Sequence, residues 1–74
     1  MRENPGTVIR TLRHQLRMTQ EEFSARFRIP LGTLRDWEQG KSEPDQAARA
    51  YLTVIARDPA AVRKALEPQH QSSV

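Results

Sequence analysis

No cysteine occurs in the 74 residues, so disulfides and thiolate zinc sites are excluded and a reducing compartment poses no difficulty. No stretch is apolar for long enough to span a bilayer. The opening Met1-Arg2-Glu3-Asn4-Pro5 lacks the hydrophobic run of a signal peptide. These absences lead to the expectation of a soluble, cytoplasmic protein. Nor is there a nucleophile–base pair, a metal-ligand cluster or a phosphate-cradling glycine loop, so an enzyme is rejected and no cofactor or metal is expected. His14 and His70 stand far apart without ligand-spaced partners and read as surface histidines. Asp36 and Glu38, two apart on a helix, face different sides and make no carboxylate pair for acid–base work. A chain of this length forms one domain at most, with a core too small for a buried catalytic cleft.

Charge is present but unevenly placed. Residues 1–41 hold eight Lys/Arg (Arg2, Arg10, Arg13, Arg17, Arg26, Arg28, Arg35, Lys41) against five Asp/Glu (Glu3, Glu21, Glu22, Asp36, Glu38). Residues 42–74 are balanced, with Arg49, Arg57, Arg63 and Lys64 against Glu43, Asp45, Asp58 and Glu67. The whole excess of +3 therefore lies on the first half. That suits a polyanionic partner, although +3 is also ordinary for a soluble domain.

Caps and periodicity predict five helices and no strand. The first runs from about Thr7 to Arg17 with Val8, Ile9, Leu12 and Leu16 as its apolar stripe, capped by Asn4-Pro5 or by Thr7. Thr19-x-x-Glu22 is a capping box that starts the second, whose buried face is Phe23 and Phe27. The third covers about Leu31 to Gln39 and ends at Gly40, a residue suited to a left-handed C-cap. Asp45 caps a fourth to about Ala56, burying Ala48, Leu52 and Ile55 with Tyr51 alongside. Asp58-Pro59 starts a fifth that carries Val62 and Leu66 and stops before Pro68. The polar segment from Gln69 to Val74 has nothing to bury.

Helices two and three, joined by a short turn, place Phe23, Phe27, Ile29, Leu34 and Trp37 over a common core. This is a helix-turn-helix, whose second helix is offered to the DNA major groove. Trp37 and the two phenylalanines fit the buried stripe and are assigned to the core, not to base stacking. Thr19-Gln20-Glu21-Glu22-Phe23-Ser24, then Phe27 and Ile29, then Thr33-Leu34, Trp37-Glu38 and Gly40-Lys41 together resemble the XRE/Cro-type helix-turn-helix of phage repressors and bacterial regulators. The resemblance implies an all-α fold: a compact five-helix, lambda-repressor-like bundle over residues 7–67, with residues 1–6 as an N-terminal arm and 68–74 as a flexible tail. A narrower likeness, in Ile29 to Gly40, Asp45 to Leu52 and Ile55 to Pro59, is to HigA-like antitoxins of toxin–antitoxin operons. It implies a dimer that represses its own operon and neutralises a toxin protein.

The family pattern implies that Leu31, Gly32, Thr33, Arg35 and Asp36 face the groove and read bases. Arg35 can take guanine O6 and N7 bidentately. Leu31 can pack on a thymine methyl. Asp36 accepts from a cytosine amino group or orients Arg35. Thr19, Gln20, Arg13, Gln39 and Lys41 are the DNA-backbone set, with Gln20 at the start of helix two reaching a phosphate or a base edge. Arg13 is expected to pair with Glu38 as well as touch phosphate. Arg10 and Arg17 fit a solvated face and a DNA contact equally well.

Two departures from the family pattern stand out. Arg28 occupies a turn position usually held by glycine, so a left-handed conformation there would cost about 1 kcal/mol and Arg28→Gly should raise the melting temperature. Gly32 lies inside the recognition helix, where either a close approach to DNA or a tight helix–helix contact would explain it.

The function expected from all of this is a sequence-specific, dimeric transcriptional repressor on a palindromic DNA operator, acting as the autoregulating antitoxin of a toxin–antitoxin pair. The alternative is a protein-interaction module whose DNA binding is incidental. The dimer surface is expected on helix five, where Val62, Ala65 and Leu66 exceed what a four-helix core can cover, unless they simply close that core.

Overall fold

Asn4 decides where the first helix starts. Its side chain accepts from the Thr7 N–H at 2.9 Å, and Pro5 supplies the preset φ of the first helical turn. In the computed structural model, which describes residues 4–67, helix α1 is therefore Pro5–Gln15, two residues earlier at both ends than the sequence reading. It cannot reach Arg17, because Leu16 is the C-cap and Arg17 turns left-handed at φ 58°. Pro5 and Gly6, assigned from sequence to an arm, are thus helical. Residues 1–3, the tail 68–74 and with it His70 lie outside the described residues.

The register of α1 also differs from the expected stripe. Gly6 and Ile9 are its buried residues, Leu12 and Leu16 pack on the core, and Val8 is 49% exposed. The seam follows steps of three and four residues (6, 9, 12, 16), and Val8 falls beside it.

The capping box forms as expected: Thr19 Oγ1 accepts from Glu22 N–H at 3.0 Å and Thr19 N–H donates to Glu22 Oε1 at 2.8 Å. It opens helix α2, Gln20–Phe27. Arg28 ends α2 in the left-handed region, at φ 57° and ψ 43°. Ser24 ties the turn from both sides, its hydroxyl donating to the Ile29 carbonyl and its carbonyl accepting from Ile29 N–H. Tyr51, reaching across from the fourth helix, donates its hydroxyl to the Phe27 carbonyl at 2.7 Å. Burial raises the tyrosine's pKa, the nearby Arg28 charge only partly opposing it, so this donor stays protonated.

Helix α3 is Leu31–Gln39, closed by Gly40 at φ 79°. Helix α4, Gln46–Arg57, is capped by Asp45, and helix α5, Pro59–Leu66, by Asp58. Among the described residues there is no strand. α1 packs on α3, α2 on α3 and α5, and α4 on α5. The core between them is Ile9, Phe23, Phe27, Ile29, Leu34, Trp37, Ile55 and Val62, with Leu66 packed against it. The Phe23 and Phe27 rings lie 4.9 Å apart, tilted, a favourable aromatic geometry. Val62 is 7% exposed and closes the core, Leu66 packs against it half-buried, and Ala65 is exposed. All five helices and the helix-turn-helix bundle match the fold read from sequence.

Among the described residues two non-glycine residues hold positive φ, Arg17 and Arg28, and they should respond differently to glycine. Arg17 is exposed and makes no side-chain hydrogen bond or ion pair among the described residues, so Arg17→Gly should recover about 1 kcal/mol and raise the melting temperature by roughly 4–8 °C. Arg28 instead donates Nη2 to the Leu66 carbonyl at 2.6 Å, tying the turn to the end of α5. Losing that bond offsets about 1 kcal/mol, so the rise expected from sequence for Arg28→Gly is corrected to little change. Thermal melts of the two variants side by side test this difference.

Candidate nucleic-acid interface

The site rests on a buried carboxylate. Glu38 lies on α3 with only 2% of its side chain exposed. Arg13 of α1 grips it bidentately with one edge of its guanidinium, Nε to Oε2 at 2.8 Å and Nη2 to Oε1 at 3.0 Å, and sends Nη1 to the Met18 carbonyl at 3.1 Å. Gln20 of α2 donates its amide to Oε1 at 3.0 Å. Arg10 donates to the Glu38 carbonyl at 2.7 Å, with its Nε 3.7 Å from the carboxylate. Burial pushes the Glu38 carboxyl up, but the hydrogen bonds from Arg13 and Gln20 and the charges of Arg13 and Arg10 outweigh it, so its pKa sits below the ordinary value. One ionised side chain thus pins α1, α2 and α3 together.

On the opposite side of α3 the surface is open. Arg35 is exposed, Leu31, Thr33 and Asp36 are partly so, and Gly32, Gln39 and Lys41 are exposed. Pro30 precedes the helix and no side chain caps it, so its first-turn N–H groups remain available. Arg35 reaches back to α2, Nε to Gln20 Oε1 at 3.2 Å and Nη2 to Glu21 Oε2 at 3.0 Å. A continuous chain of polar contacts therefore runs from Arg35 on the open face through Gln20 to Glu38 and Arg13 behind it. Such a chain can hold an exposed arginine and a helix terminus in fixed relation, which is what readout of a groove edge would require.

A family model described as Helix-turn-helix matches residues 9–48, over half of the chain. A helix-turn-helix XRE-family-like protein from Agrobacterium tumefaciens, known from a crystal structure, is 66% identical. The match covers 80% of this chain and 95% of that one, with a TM-score of 0.79. The chain belongs to the XRE family of helix-turn-helix proteins. A search of curated proteins finds no significant match. XRE-family membership brings with it the fold of a DNA-binding transcriptional regulator. Among the described residues no helix is long and apolar enough to cross a membrane, and no three His, Cys, Asp or Glu side chains lie close enough together to hold a metal ion.

The structure brings together Arg13, Gln20, Arg35 and Glu38 in one network and leaves Gln39, the last residue of α3, and Lys41, just beyond it, exposed. Thr19 serves the α2 cap. Arg13, 11% exposed and with all three nitrogens engaged, acts as a strut behind the interface. Asp36 does not orient Arg35; Gln20 and Glu21 do. Arg10, expected either to be solvated or to touch DNA, instead holds the end of α3. Glu21, which the sequence places only in the family motif, is a partner of Arg35, and of the three partners of Glu38 only Arg13 is expected from the sequence. Contacts between crossing helices leave no fixed spacing in the sequence, so no periodicity would have revealed them.

The halves of the chain also mix in space. Arg26 and Arg28 of the helix-turn-helix share a groove with Arg63 and Lys64 from α5, where Glu67 supplies the opposing charge. The positive surface is therefore not confined to residues 1–41.

Among the described residues Gly32 has no atom of another element within 4 Å of where a Cβ would stand, which removes the helix–helix explanation. Gly32→Ala should therefore stabilise the free protein by roughly 0.5–1 kcal/mol through helix propensity, yet weaken binding to its specific DNA. Melts and binding isotherms on one variant check both halves; a stabilised variant with undiminished affinity would dismiss the close approach.

Proposed function

We propose that this XRE-family protein is a sequence-specific transcriptional repressor that binds a palindromic operator as a homodimer, and that it is the autoregulating antitoxin of a toxin–antitoxin operon. The observation that carries the DNA-reading part is the open face of α3. Arg35 stands there in a defined orientation, Gly32 leaves room for close approach, and Glu38 braces the helix from behind. In this reading Leu31, Gly32, Thr33, Arg35 and Asp36 meet base edges, while Thr19, Gln20, Gln39 and Lys41 meet the backbone. Arg13 supports that surface by holding Glu38.

A single small domain reads few base pairs, so useful specificity calls for two copies on half-sites one helical turn, about 34 Å, apart. The antitoxin assignment rests on the sequence likeness over residues 29–59, and a toxin would be the protein partner.

Footprinting on DNA from upstream of the gene tests the operator. Two protected half-sites about one turn apart, with Arg35→Ala losing roughly 1–3 kcal/mol of discrimination at one base pair, support the reading; a single site or uniform protection contradicts it. Co-expression with the adjacent open reading frame tests the antitoxin role, since growth arrest by that product should be relieved by this protein.

A further inference from the structure

We propose that Glu21 is a specificity-determining positioning residue: with Gln20 it holds one edge of the Arg35 guanidinium so that the other edge is presented to guanine. This inference rests on α3 being the base-reading helix.

A guanidinium is planar and carries five N–H bonds in a fixed fork. Two of its nitrogens, Nε and Nη2, share one edge. Gln20 Oε1 takes Nε at 3.2 Å and Glu21 Oε2 takes Nη2 at 3.0 Å, so that edge is occupied. Three N–H bonds remain, all on the end formed by Nη1 and Nη2, and this end has the geometry that matches guanine O6 and N7. Both side chains are substantially exposed, 44% for Arg35 and 64% for Glu21, and an exposed pair of this kind contributes little to folding. Its consequence lies at the DNA surface.

An unpaired arginine on that face would strengthen binding to any duplex, because phosphates attract it regardless of sequence. Paired with Glu21, Arg35 adds no net charge, so its contribution is realised mainly through the base contact. Where no guanine engages the fork, a carboxylate stands in the first turn of α2 against a polyanion with little return. Glu21 thus weakens non-specific binding and orients the group that makes the specific contact, and discrimination between sequences by a repelling group as well as an attracting one is the result.

The test compares wild type, Glu21→Gln, Arg35→Ala and the double variant by fluorescence anisotropy on the upstream duplex and on a scrambled duplex across a salt series. Melts first establish that each variant folds; Glu21→Gln should melt within a few degrees of wild type. Glu21→Gln is expected to bind scrambled DNA several-fold more tightly and the upstream duplex no more tightly, so the preference falls about fivefold to tenfold. Arg35→Ala should lower the preference at least as far, and the double variant should lose no more than Arg35→Ala alone. In the free protein the Arg35 Nε–H resonance should shift and exchange faster in Glu21→Gln, a change that a purely structural role elsewhere would not produce. An Arg35-dependent preference that Glu21→Gln leaves intact overturns the role of Glu21 while the DNA-reading function stands. A wild type with no preference for the upstream duplex overturns both.

Discussion

Glu38→Ala is expected to remove about 3–5 kcal/mol of folding stability, the scale on which breaking a buried ion pair leaves its partner charged and unpaired. The stranded group is Arg13, 11% exposed, whose fork would lose both carboxylate oxygens at once. Gln20 would lose its acceptor as well. A domain of this length has on the order of 4–11 kcal/mol in total, so the variant should be partly unfolded at 37 °C. Glu38→Gln keeps an oxygen for one donor and should lose less. Urea titrations of both give the ordering, and equal stability of wild type and Glu38→Ala would show that the network is solvated.

The same residue predicts an acid dependence with a definite sign. The folded carboxyl titrates below its ordinary value, while in the unfolded chain it titrates near 4.3. Its stabilising contribution is therefore complete above the unfolded value and is lost as the pH falls through the folded value. Wild type should lose stability below about pH 4 more steeply than Glu38→Gln, in which this group no longer titrates.

Gly6→Ala should be nearly as damaging. A Cβ on Gly6 would sit 2.5 Å from the Trp37 carbonyl oxygen and 3.0 Å from that of Glu38. Both obstacles are backbone, so no side chain can swing aside, and α1 must lift from the end of α3. Overpacking of this kind costs typically 1–3 kcal/mol, and here the shift would also stretch the Arg10 bond to the Glu38 carbonyl and the Arg13 fork. We expect a loss of about 3 kcal/mol despite alanine's better helix propensity. Gly32→Ala, with open space around it, is the matched control that should rise. A stable Gly6→Ala would mean that α1 and α3 are not in close contact.

These two sites mark the boundary of what the sequence makes legible. Helix ends are written in local chemistry, so Thr19 with Glu22, Gly40, Asp45 and Asp58-Pro59 identify four of the five helices to within a residue. α1 starts two residues earlier than the sequence reading because Asn4 and Thr7 are both competent caps, and the structure uses Asn4. Gly6 looks in sequence like arm residue and turns out to be the point where two backbones meet. Glu38 was read as one half of a pair with Arg13, and that pair exists. Its further partners, Arg10 and Gln20, come from other helices, as does Glu21 for Arg35, and the angle at which helices cross is a property of the whole core. The open face of α3 was legible because it follows the 3.6-residue period of the helix; what braces and orients it was not.

The central claim is that this face reads DNA sequence. Fluorescence anisotropy of the purified protein, on duplex from upstream of its gene and on a scrambled duplex across a salt series, tests it most directly. Tight binding to the upstream duplex alone is expected, with log affinity falling by roughly 0.9 per phosphate contact for each log unit of salt. Equal and weak binding to both duplexes would contradict it.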